Sequence, residues 1–491
     1  MLQDSIYQAS GEKTMNKYKL FIGGKWVDAE SGETFPVLNP ATEEVIGEAA
    51  LGGPADVDKA VRAAMAAFPA WSSLLQSERA KVVYRMGAAI REAAEELALL
   101  EVREHGTPIN MARGFVAAGA DGAEYHVSIS RALSGQVLNS LPNATVYLKR
   151  VPIGVCAVIA PWNVPLMMMI AMVTPALVTG NTVVLKPASV NSLLAVRFTE
   201  LLEKIGLPPG VVNLVTGPGG SVGEALAAHP GVDMIRFTGS SETGKEIMRV
   251  ASQTAKKCVM ELGGNNPVIV CEDADVVTAA TWQAQRHYGN TAQNCSTPGR
   301  FYVHEKVYDQ FVEAFVCQVE KIVVGDPEDE NTMMGPMANK QQMEKVEAYI
   351  QSAIDEGARI AVGGKRVAGK GYFLEPTVVV DVTHDMTIAR EEIFGPAAAI
   401  LRFSSEDEAI DLANDSEYGL VAGVWTKDVA KALRFTDRLR VDSVYINMPR
   451  IMASELPWGG NVKQSGVGKD GSVCGLEEFT DLKMVVINQA S

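Results

Sequence analysis

The sequence predicts an α/β protein with two open, Rossmann-like α/β domains and a small β arm. Between Val151 and Val270, short apolar runs alternate with helical patterns, which is typical of parallel strands joined by crossover helices. A second alternation of strand and helix patterns runs from about Asp273 to Met448 and predicts the second domain. Two further strand-like segments lie outside both alternations and predict the arm.

The chain before the first alternation divides into a tail and a helical region. Residues 1–16 contain neither a basic stretch nor an apolar one, so we expect a mobile tail rather than a secretion signal. Residues 55–104 are mostly helical in pattern, because apolar residues recur at the spacing of one helix face. We assign residues 17–130, together with residues 151–260, to the first domain.

The strands of the two alternations follow from the apolar runs. The strand candidates of the first alternation are GVCAVIA, TVVLKP, VVNLV, MIRFTG and KCVMEL. Those of the second domain, residues 261–457, are IAVGG, TVVVDV, AAAILRF and SVYIN. The apolar segment at residues 164–178 contains two prolines and is shorter than the roughly 18 to 20 residues that span a bilayer. We therefore expect a buried helix there, and no membrane partner.

Two exposed strand patterns predict the arm. Gln136 to Gly154 alternates like a hairpin, and Leu482 to Gln489 has the pattern of a lone terminal strand. Because unpaired strand edges attract other strands, these segments should pair with each other or with another chain. We therefore expect residues 131–150 and 470–491 to form an oligomerisation arm in a homodimer or a homotetramer.

Charge and composition exclude several kinds of partner. The net charge of -15 argues against binding to nucleic acid or to anionic lipid. The six cysteines lie far apart without a C-x-x-C pair, and the six histidines never fall at zinc-ligand spacing. We expect reduced thiols, a cytoplasmic location and no metal.

Several polar residues stand where predicted strands end. Each has an ordinary explanation as a cap, a solvated charge or a turn residue, but ligand sites of open α/β sheets form at such ends. A glycine turn before a helix also exposes backbone N–H groups to an anion. Cys295 adds to this set, since its polar neighbours are unusual for a buried cysteine. The segments are APWNVP (Asn163), LKPAS (Lys186), GPGGSVGEAL, RFTGSSETGKEI (Gly239, Ser240), MELGGNNP (Glu261) and GNTAQNCSTPGR (Cys295).

These segments carry a resemblance to a known family. The motifs PWNVP, LKPAS, FTGSSETG, ELGGNNP, AQNC and EEIFGP stand in the order and spacing found in the NAD(P)-dependent aldehyde dehydrogenase superfamily. The likeness extends from about Lys17 to Val486. It implies that the first domain binds NAD or NADP, that the second is catalytic, and that a small-molecule aldehyde is oxidised to its acid.

The resemblance also implies roles for individual residues. Cys295 would be the nucleophile, and Asn163 with the Cys295 backbone N–H would hold the oxyanion of the thiohemiacetal. Glu261 would be the general base that activates water to hydrolyse the thioester. Contacts to the cofactor are implied at Trp162, Lys186, Ser189, Gly219, Phe237, Gly239, Ser240, Glu392 and Phe394.

Three departures from the family pattern affect these expectations. Ser189 replaces a glutamate common in NAD-selective members, so we expect both NAD and NADP to be used. Ala292 replaces a glycine of the G-Q-x-C motif, and its methyl group matters if the backbone there needs a positive φ. One additional residue precedes Lys463 in the F-G-G-x-K-x-S-G motif. None of these departures removes a catalytic group.

The substrate is constrained mainly by what the chain lacks. Ala171 and Gly289 stand where succinic semialdehyde dehydrogenases carry arginines, and only Trp458 remains of the aromatic box of aminoaldehyde enzymes. We therefore expect an apolar aliphatic, aromatic or terpenoid aldehyde in a methionine-lined tunnel. Core packing is an equal explanation for any one methionine, and Arg450 either recognises a distal carboxylate or is solvated. The tunnel candidates are Val164, Met167, Met168, Asn294, Ser296, Arg450, Met452 and Trp458.

Other activities stay open at this stage. The substrate could instead be a carboxylated semialdehyde or an aminoaldehyde. A CoA-acylating relative would use the same cysteine, although such relatives usually lack the glutamate at position 261. A cofactor-independent thiol esterase and a non-catalytic protein that retains the fold are the remaining alternatives.

Overall fold

The computed structural model describes residues 16–489, so residues 1–15 of the expected tail lie outside the described residues. The strands are β1 (Lys17–Tyr18), β2 (Leu20–Ile22), β3 (Lys25–Val27), β4 (Thr34–Leu38), β5 (Val45–Ala50), β6 (Gln136–Leu138), β7 (Ala144–Pro152), β8 (Val155–Ile159), β9 (Thr182–Lys186), β10 (Val212–Leu214), β11 (Met234–Thr238), β12 (Lys257–Glu261), β13 (Asn266–Val270), β14 (Pro298–His304), β15 (Arg359–Val362), β16 (Thr377–Val380), β17 (Ala397–Phe403), β18 (Val421–Trp425), β19 (Ser443–Ile446), β20 (Gly466–Val467) and β21 (Thr480–Asn488).

The α-helices cover the predicted helical region and most of the connections between strands. They are α1 (Pro54–Ser73), α2 (Gln76–Glu92), α3 (Ala94–His105), α4 (Ile109–Ser130), α5 (Pro165–Thr179), α6 (Ser192–Lys204), α7 (Glu224–Ala228), α8 (Ser241–Ala251), α9 (Val276–Tyr288), α10 (Tyr308–Val319), α11 (Lys340–Asp355), α12 (Thr387–Arg390), α13 (Glu406–Asn414), α14 (Val429–Arg438) and α15 (Ser472–Glu478).

The first large sheet contains every strand predicted in the first alternation. Its order is β20-β12-β11-β8-β9-β10-β2-β3, in which β12 to β10 are parallel and the edge strands are antiparallel. In chain order the five parallel strands read 5-4-1-2-3, the doubly wound arrangement whose switch point lies between β8 and β11. The carboxyl ends of these strands therefore form one edge, where a ligand crevice is expected.

Helices cover both faces of this sheet, which is why its strands are continuous apolar runs. All residues of β8 and β9 are buried. Helix α5 is buried along most of its length, as the sequence predicted, and it ends at Gly180 with a left-handed φ of 99°. Among residues 16–489, no helix is long and apolar enough to cross a membrane.

The second large sheet has the order β15-β16-β17-β14-β13-β18-β19, parallel except at edge strand β15. The sequence predicted β15, β16, β17 and β19. Three neighbouring strands, β14, β13 and β18, were not predicted. The α/β fold class with two open sheets is nevertheless confirmed.

The two exposed strand patterns pair with each other. Strand β21 runs antiparallel along the whole of β7, and β6 pairs on the other side of β7. Leu482, Met484 and Val486 alternate along β21 and are 54%, 64% and 48% exposed. This three-stranded sheet thus carries a row of apolar side chains that residues 16–489 do not cover. Strands β1, β5 and β4 form a further small sheet.

Candidate active site

The site lies between the carboxyl edge of the first sheet and the amino edge of the second. Asn163, Lys186 and Glu261 follow or end β8, β9 and β12, whereas Cys295 and Glu392 precede β14 and β17. The two large sheets therefore contribute different groups to the same crevice. The sequence placed Asn163, Lys186 and Glu261 at strand ends and Cys295 on a strand end or loop, but it did not distinguish the two edges, and Glu392 was implied only by the family resemblance.

The cysteine loop has an unusual backbone. Asn290, Thr291 and Ala292, which follow α9, have φ values of 54°, 56° and 58°. Non-glycine residues in the left-handed region cost on the order of 1 kcal/mol or more each, so surrounding contacts must enforce this shape. Ala292 therefore stands at a positive φ, the backbone conformation in which its replacement of a glycine matters.

Side chains on three sides hold this loop. Asn290 Nδ2 donates to the Asn163 carbonyl oxygen at 2.8 Å, and Thr291 Oγ1 donates to the Gly335 carbonyl oxygen at 3.1 Å. Gln293 Oε1 accepts from the Ala338 N–H at 2.9 Å. These bonds link the loop to the segment after β8 and to residues 335–338 before α11, and so fix the position of the cysteine that follows.

Asn163 is bound to the cysteine loop by its side chain as well. Its Nδ2 donates to the Gln293 carbonyl oxygen at 2.9 Å, which uses one of the two amide hydrogens. None of the hydrogen bonds found among residues 16–489 uses the Cys295 backbone N–H. The second Asn163 hydrogen and this N–H are therefore donors available to an oxyanion beside Cys295.

The Cys295 thiol is partly buried, and its surroundings disfavour the thiolate. Burial raises the pKa of the thiol to about 12, and the negative charges of Glu261 and Glu392 act in the same direction. The guanidinium groups of Arg450 and Arg286 oppose this rise. Cations beside the sulfur therefore supply the main electrostatic help for ionisation.

Glu261 is enclosed at the end of β12. It is 2% exposed, and neither carboxylate oxygen has a hydrogen-bond partner within the described part of the chain. A Cβ at Gly459, whose φ is 68°, would occupy the place of Glu261 Oε1. Burial raises the pKa of Glu261 to about 8, and the nearby Arg236 charge opposes that rise. The carboxyl group is therefore largely protonated at neutral pH, and its carboxylate form, which a general base requires, increases as the pH rises through about 8.

Two glycine-rich turns and a lysine line the crevice of the first sheet. Lys186 is 4% exposed, and its amine, which has three N–H donors, has one acceptor, the Pro187 carbonyl oxygen at 2.7 Å. Burial lowers the pKa of this amine to about 8. Ser240 caps α8 by accepting from the Thr243 N–H, and the Thr238 hydroxyl beside it is buried without a partner. These unsatisfied groups and the helix N-terminus fit the hydroxyl and phosphate groups of a dinucleotide.

Other expected cofactor residues lie around the same crevice. Ser189 Oγ donates to the Gly217 carbonyl oxygen at 3.2 Å, and Gly219 stands exposed at the start of the following turn. The Phe237 ring is buried in the core and lies under Gly239, so it supports the turn rather than facing the crevice.

On the side of the second sheet, Glu392 accepts from the Gly264 N–H at 2.9 Å, and burial raises its pKa to about 7. Phe394 meets the Trp162 ring edge-on, with ring centroids 5.2 Å apart.

Comparison with known proteins decides the family. The family model described as "Aldehyde dehydrogenase family" matches residues 26–485. The chain belongs to the aldehyde dehydrogenase family. The resemblance read from the motifs is therefore confirmed, and the protein is an enzyme of the aldehyde dehydrogenase class.

Individual members of the aldehyde dehydrogenase family are similar over nearly their whole length. A betaine aldehyde dehydrogenase of Bacillus subtilis (strain 168) is 40% identical over 476 residues, which cover 96% of this chain and 97% of the relative. The crystal structure of an NAD-dependent aldehyde dehydrogenase from Sinorhizobium meliloti superposes with a TM-score of 0.95 and 38% identity, covering 97% and 96% of the two chains. An Escherichia coli protein described as an NADP dependent enzyme superposes with a TM-score of 0.94 and 35% identity, covering 96% and 98%.

The expected tunnel residues of this family member separate into two groups. Val164 is buried, and Met168 is partly buried against the core that contains Met172. Met167 is partly buried, and Met452 is 45% exposed. In contrast, the polar candidates meet beside Cys295, because Ser296 and Arg450 line the same small cavity and Arg450 stacks on Trp458. Asn294 donates from Nδ2 to the Gly289 carbonyl oxygen at 3.3 Å.

Sequence reasoning missed three residues at the site, namely Arg286, Arg236 and Tyr445. Arg286 of α9 donates to Ser296 Oγ at 2.6 Å, and Arg236 of β11 is completely buried in an ion pair with Asp470. Tyr445 of β19 lies beside Arg450. The only sequence signal was an arginine within an apolar strand pattern, MIRFTG, which is unusual for a strand buried on both faces.

Proposed function

We propose that this protein oxidises an aldehyde to its carboxylic acid with NAD or NADP, through a covalent thioester on Cys295. The observation that carries this proposal is the pair of hydrogen bonds between Asn163 and the cysteine loop. They hold an oxyanion donor at the edge of the first sheet beside a nucleophile at the edge of the second. We also propose the division of labour expected from the sequence, with residues 17–130 and 151–260 binding the dinucleotide and residues 261–457 catalytic.

The first step is the addition of Cys295 Sγ to the aldehyde carbon. The thiolate is the reactive form, so the thiol must first release its proton to water; burial disfavours this ionisation, and the nearby arginine charges favour it. The carbonyl oxygen becomes an oxyanion as the C–S bond forms. Asn163 Nδ2 and the Cys295 backbone N–H donate to that oxygen.

The dinucleotide would be held by the crevice groups already described. Lys186 would donate to ribose hydroxyls, the start of α8 at Ser240 would face the pyrophosphate, and Glu392 would accept from the second ribose. A bound nicotinamide supplies the hydride acceptor for oxidation of the thiohemiacetal carbon. Trp162 and Phe394 pack beside that part of the crevice and exclude water from it.

The last step is hydrolysis of the thioester. Glu261 takes a proton from water, which attacks the acyl carbon, and the C–S bond then breaks to release the acid and the Cys295 thiolate. Its oxygens are free of protein partners, so the carboxylate is available to a water molecule.

The test is Cys295→Ala with a panel of aldehydes, each supplied with NAD and with NADP. We expect complete loss of reduced nicotinamide formation, while nucleotide binding measured by quenching of protein fluorescence is retained. Full turnover by this variant would contradict the proposal, and ester cleavage by the native protein without any nucleotide, in the absence of aldehyde oxidation, would favour a thiol esterase instead.

We further propose a cytoplasmic homo-oligomer. The six cysteines are all unpaired, which suits a reducing compartment. The apolar row of β21 provides a surface on which a second copy can pack.

A further inference from the structure

Two guanidinium groups meet beside the catalytic cysteine. Arg286 projects from α9 and donates from Nη2 to Ser296 Oγ at 2.6 Å and to the Ser296 carbonyl oxygen at 3.3 Å. Arg450, in the segment after β19, lies 3.7 Å above the centre of the Trp458 ring. Both line a small cavity of about 20 Å³ together with Ser296 and Tyr445. Ser296 is the immediate neighbour of Cys295, so this cavity adjoins the nucleophile.

Neither of these two cations is neutralised by an ion pair within residues 16–489. The Arg450 Nε is buried and has no hydrogen-bond partner there. Burial lowers the pKa of Arg286 to about 10, and the charge of Arg450 acts in the same direction, so the two guanidinium groups repel each other. Two like charges in a poorly solvated place are costly unless an anion joins them.

Two fully buried arginines make more contacts within the chain. Arg300 donates to the carbonyl oxygens of Asn265, Leu412 and Ala413 and to the Tyr302 hydroxyl. Arg236 is paired with Asp470 and donates to the Phe237 carbonyl oxygen at 2.8 Å, although its Nε has no partner within residues 16–489. A guanidinium group has five N–H donors in a fixed fork. Arg286 uses Nη2 on Ser296 and Arg450 bonds to Tyr445, and no other hydrogen bond of either group is found within residues 16–489.

We propose that Arg286 and Arg450 form an anion subsite that binds a carboxylate carried by the substrate, at the end opposite the reacting aldehyde. The inference rests on the proposed aldehyde oxidation and names its substrate class. A planar carboxylate suits two converging guanidinium forks, and Ser296 and Tyr445 supply further hydrogen-bonding groups at the same cavity. The lack of arginine at positions 171 and 289 argued against a carboxylated substrate. The proposed subsite does not depend on those positions, because its arginines are Arg286 and Arg450.

This subsite favours the carboxylated alternative over the apolar substrate expected from the methionines. Val164 is buried, and Met168 packs against the core of the first sheet's helical layer. Their burial leaves fewer apolar side chains to line a tunnel than the sequence indicated. The groups that adjoin Cys295 on the cavity side are cationic and polar instead.

A matched pair of substrates tests the subsite. Aliphatic ω-oxo carboxylates of increasing chain length are compared with unbranched aldehydes of the same carbon number, and kcat/KM is measured from the formation of reduced nicotinamide. We expect the native enzyme to prefer one oxo acid over its neutral partner by about tenfold or more. Arg450→Gln and Arg286→Gln should each lower kcat/KM for that oxo acid by about thirtyfold or more, mainly through KM.

The neutral aldehyde is the internal control in each variant. Loss of either charge also disfavours the Cys295 thiolate, so kcat/KM for the neutral aldehyde should fall as well, and the loss for the oxo acid should exceed it by about tenfold or more. Equal losses on both substrates, with a shifted pH profile, would assign the arginines to thiolate stabilisation and overturn the proposal. Arg450→Lys should keep part of the preference, and Arg359→Gln, an exposed arginine on edge strand β15, should change neither substrate.

A binding measurement separates this inference from the proposed oxidation. Calorimetric titration of Cys295→Ser with the dicarboxylate that matches the preferred oxo acid needs no turnover. Binding that is lost when Arg450→Gln is added would support the subsite even if no aldehyde were oxidised. Absence of binding, together with a native preference for neutral aldehydes, would overturn the subsite while leaving aldehyde oxidation intact.

Discussion

At the residue scale, the chemistry depends on buried groups whose charge is set by their neighbours. Burial raises the pKa of Cys295 to about 12 and that of Glu261 to about 8, so both groups hold their protons at neutral pH. Arg450 opposes both rises, and Arg236 opposes that of Glu261. Arg450 therefore lowers the pKa of both the nucleophile and the base, and an anionic substrate bound near Arg450 would alter both pKa values.

Ser189 should control the choice of coenzyme. It is partly exposed beside the strand end that carries Lys186 and donates to the Gly217 carbonyl oxygen. Ser189→Glu should raise KM for NADP by about tenfold or more, and KM for NAD by less than about threefold, because a carboxylate repels the additional phosphate. Steady-state kinetics with both coenzymes measure this, with Ser189→Gln as a control of similar size. An equal increase for both coenzymes would show that bulk rather than charge is responsible.

The sequence predicted the motif residues of the site but not the groups that tune them. Cys295, Asn163 and Glu261 could be recognised because each stands in a short conspicuous segment. Arg286 could not, because an arginine in a helix is normally solvated, and only packing against Ser296 and Arg450 reveals its position. The hydrogen bond between Asn163 and Gln293 joins residues 130 positions apart, and a local sequence pattern cannot predict a contact over that separation.

At the element scale, helix α3 carries two carboxyl groups into the core. Glu104 accepts from the N–H groups of Leu193 and Leu194 at 2.7 and 2.9 Å and so caps the start of α6. Glu101 is fully buried, and neither of its oxygens has a hydrogen-bond partner within residues 16–489. Burial raises the pKa of each to about 8. Both carboxyl groups are therefore neutral in the folded protein at neutral pH.

Glu101 should make stability fall as pH rises. Its pKa is about 8 in the folded chain against an ordinary value of 4.5, so its stabilising contribution is complete below 4.5 and is lost between 4.5 and about 8. Glu101→Gln should remove up to about 1.4 kcal/mol per pH unit from the slope of unfolding free energy in that window. Denaturant unfolding of both proteins across this range measures the slope, and Glu104 contributes equally to both. Parallel curves would contradict the assignment.

The strands that the sequence missed include three neighbouring strands of the second sheet, β14, β13 and β18. Strand β14 carries Arg300 and His304, and β13 begins with Asn266 and a proline, so neither has a clean apolar pattern. Arg300 is buried there because carbonyl oxygens of other segments satisfy it, which only the tertiary structure supplies. The strands of the first sheet were predictable because helices cover both faces and their residues are almost uniformly apolar.

At the scale of the whole molecule, the arm should join copies of the chain. Met484→Lys places a charge in the middle of the exposed row on β21 and should weaken self-association by about thirtyfold or more. Sedimentation velocity at several concentrations measures this, with Lys483→Ala on the other face of the strand as the control. The same oligomeric state in Met484→Lys and the native protein would show that the interface lies elsewhere.

The central claim is that each large sheet positions a different catalytic group. The nucleophile, Cys295, precedes β14 of the second sheet, and the base, Glu261, ends β12 of the first. Rapid mixing of Glu261→Gln with nucleotide and aldehyde tests it most directly, followed by mass spectrometry of the quenched protein. We expect a burst of about one reduced nicotinamide per chain, then a stall with an acyl group on Cys295, whereas the native protein turns over steadily at a rate that rises with pH through about 8. Steady turnover by Glu261→Gln at the native rate, with no acyl group on Cys295, would contradict the account.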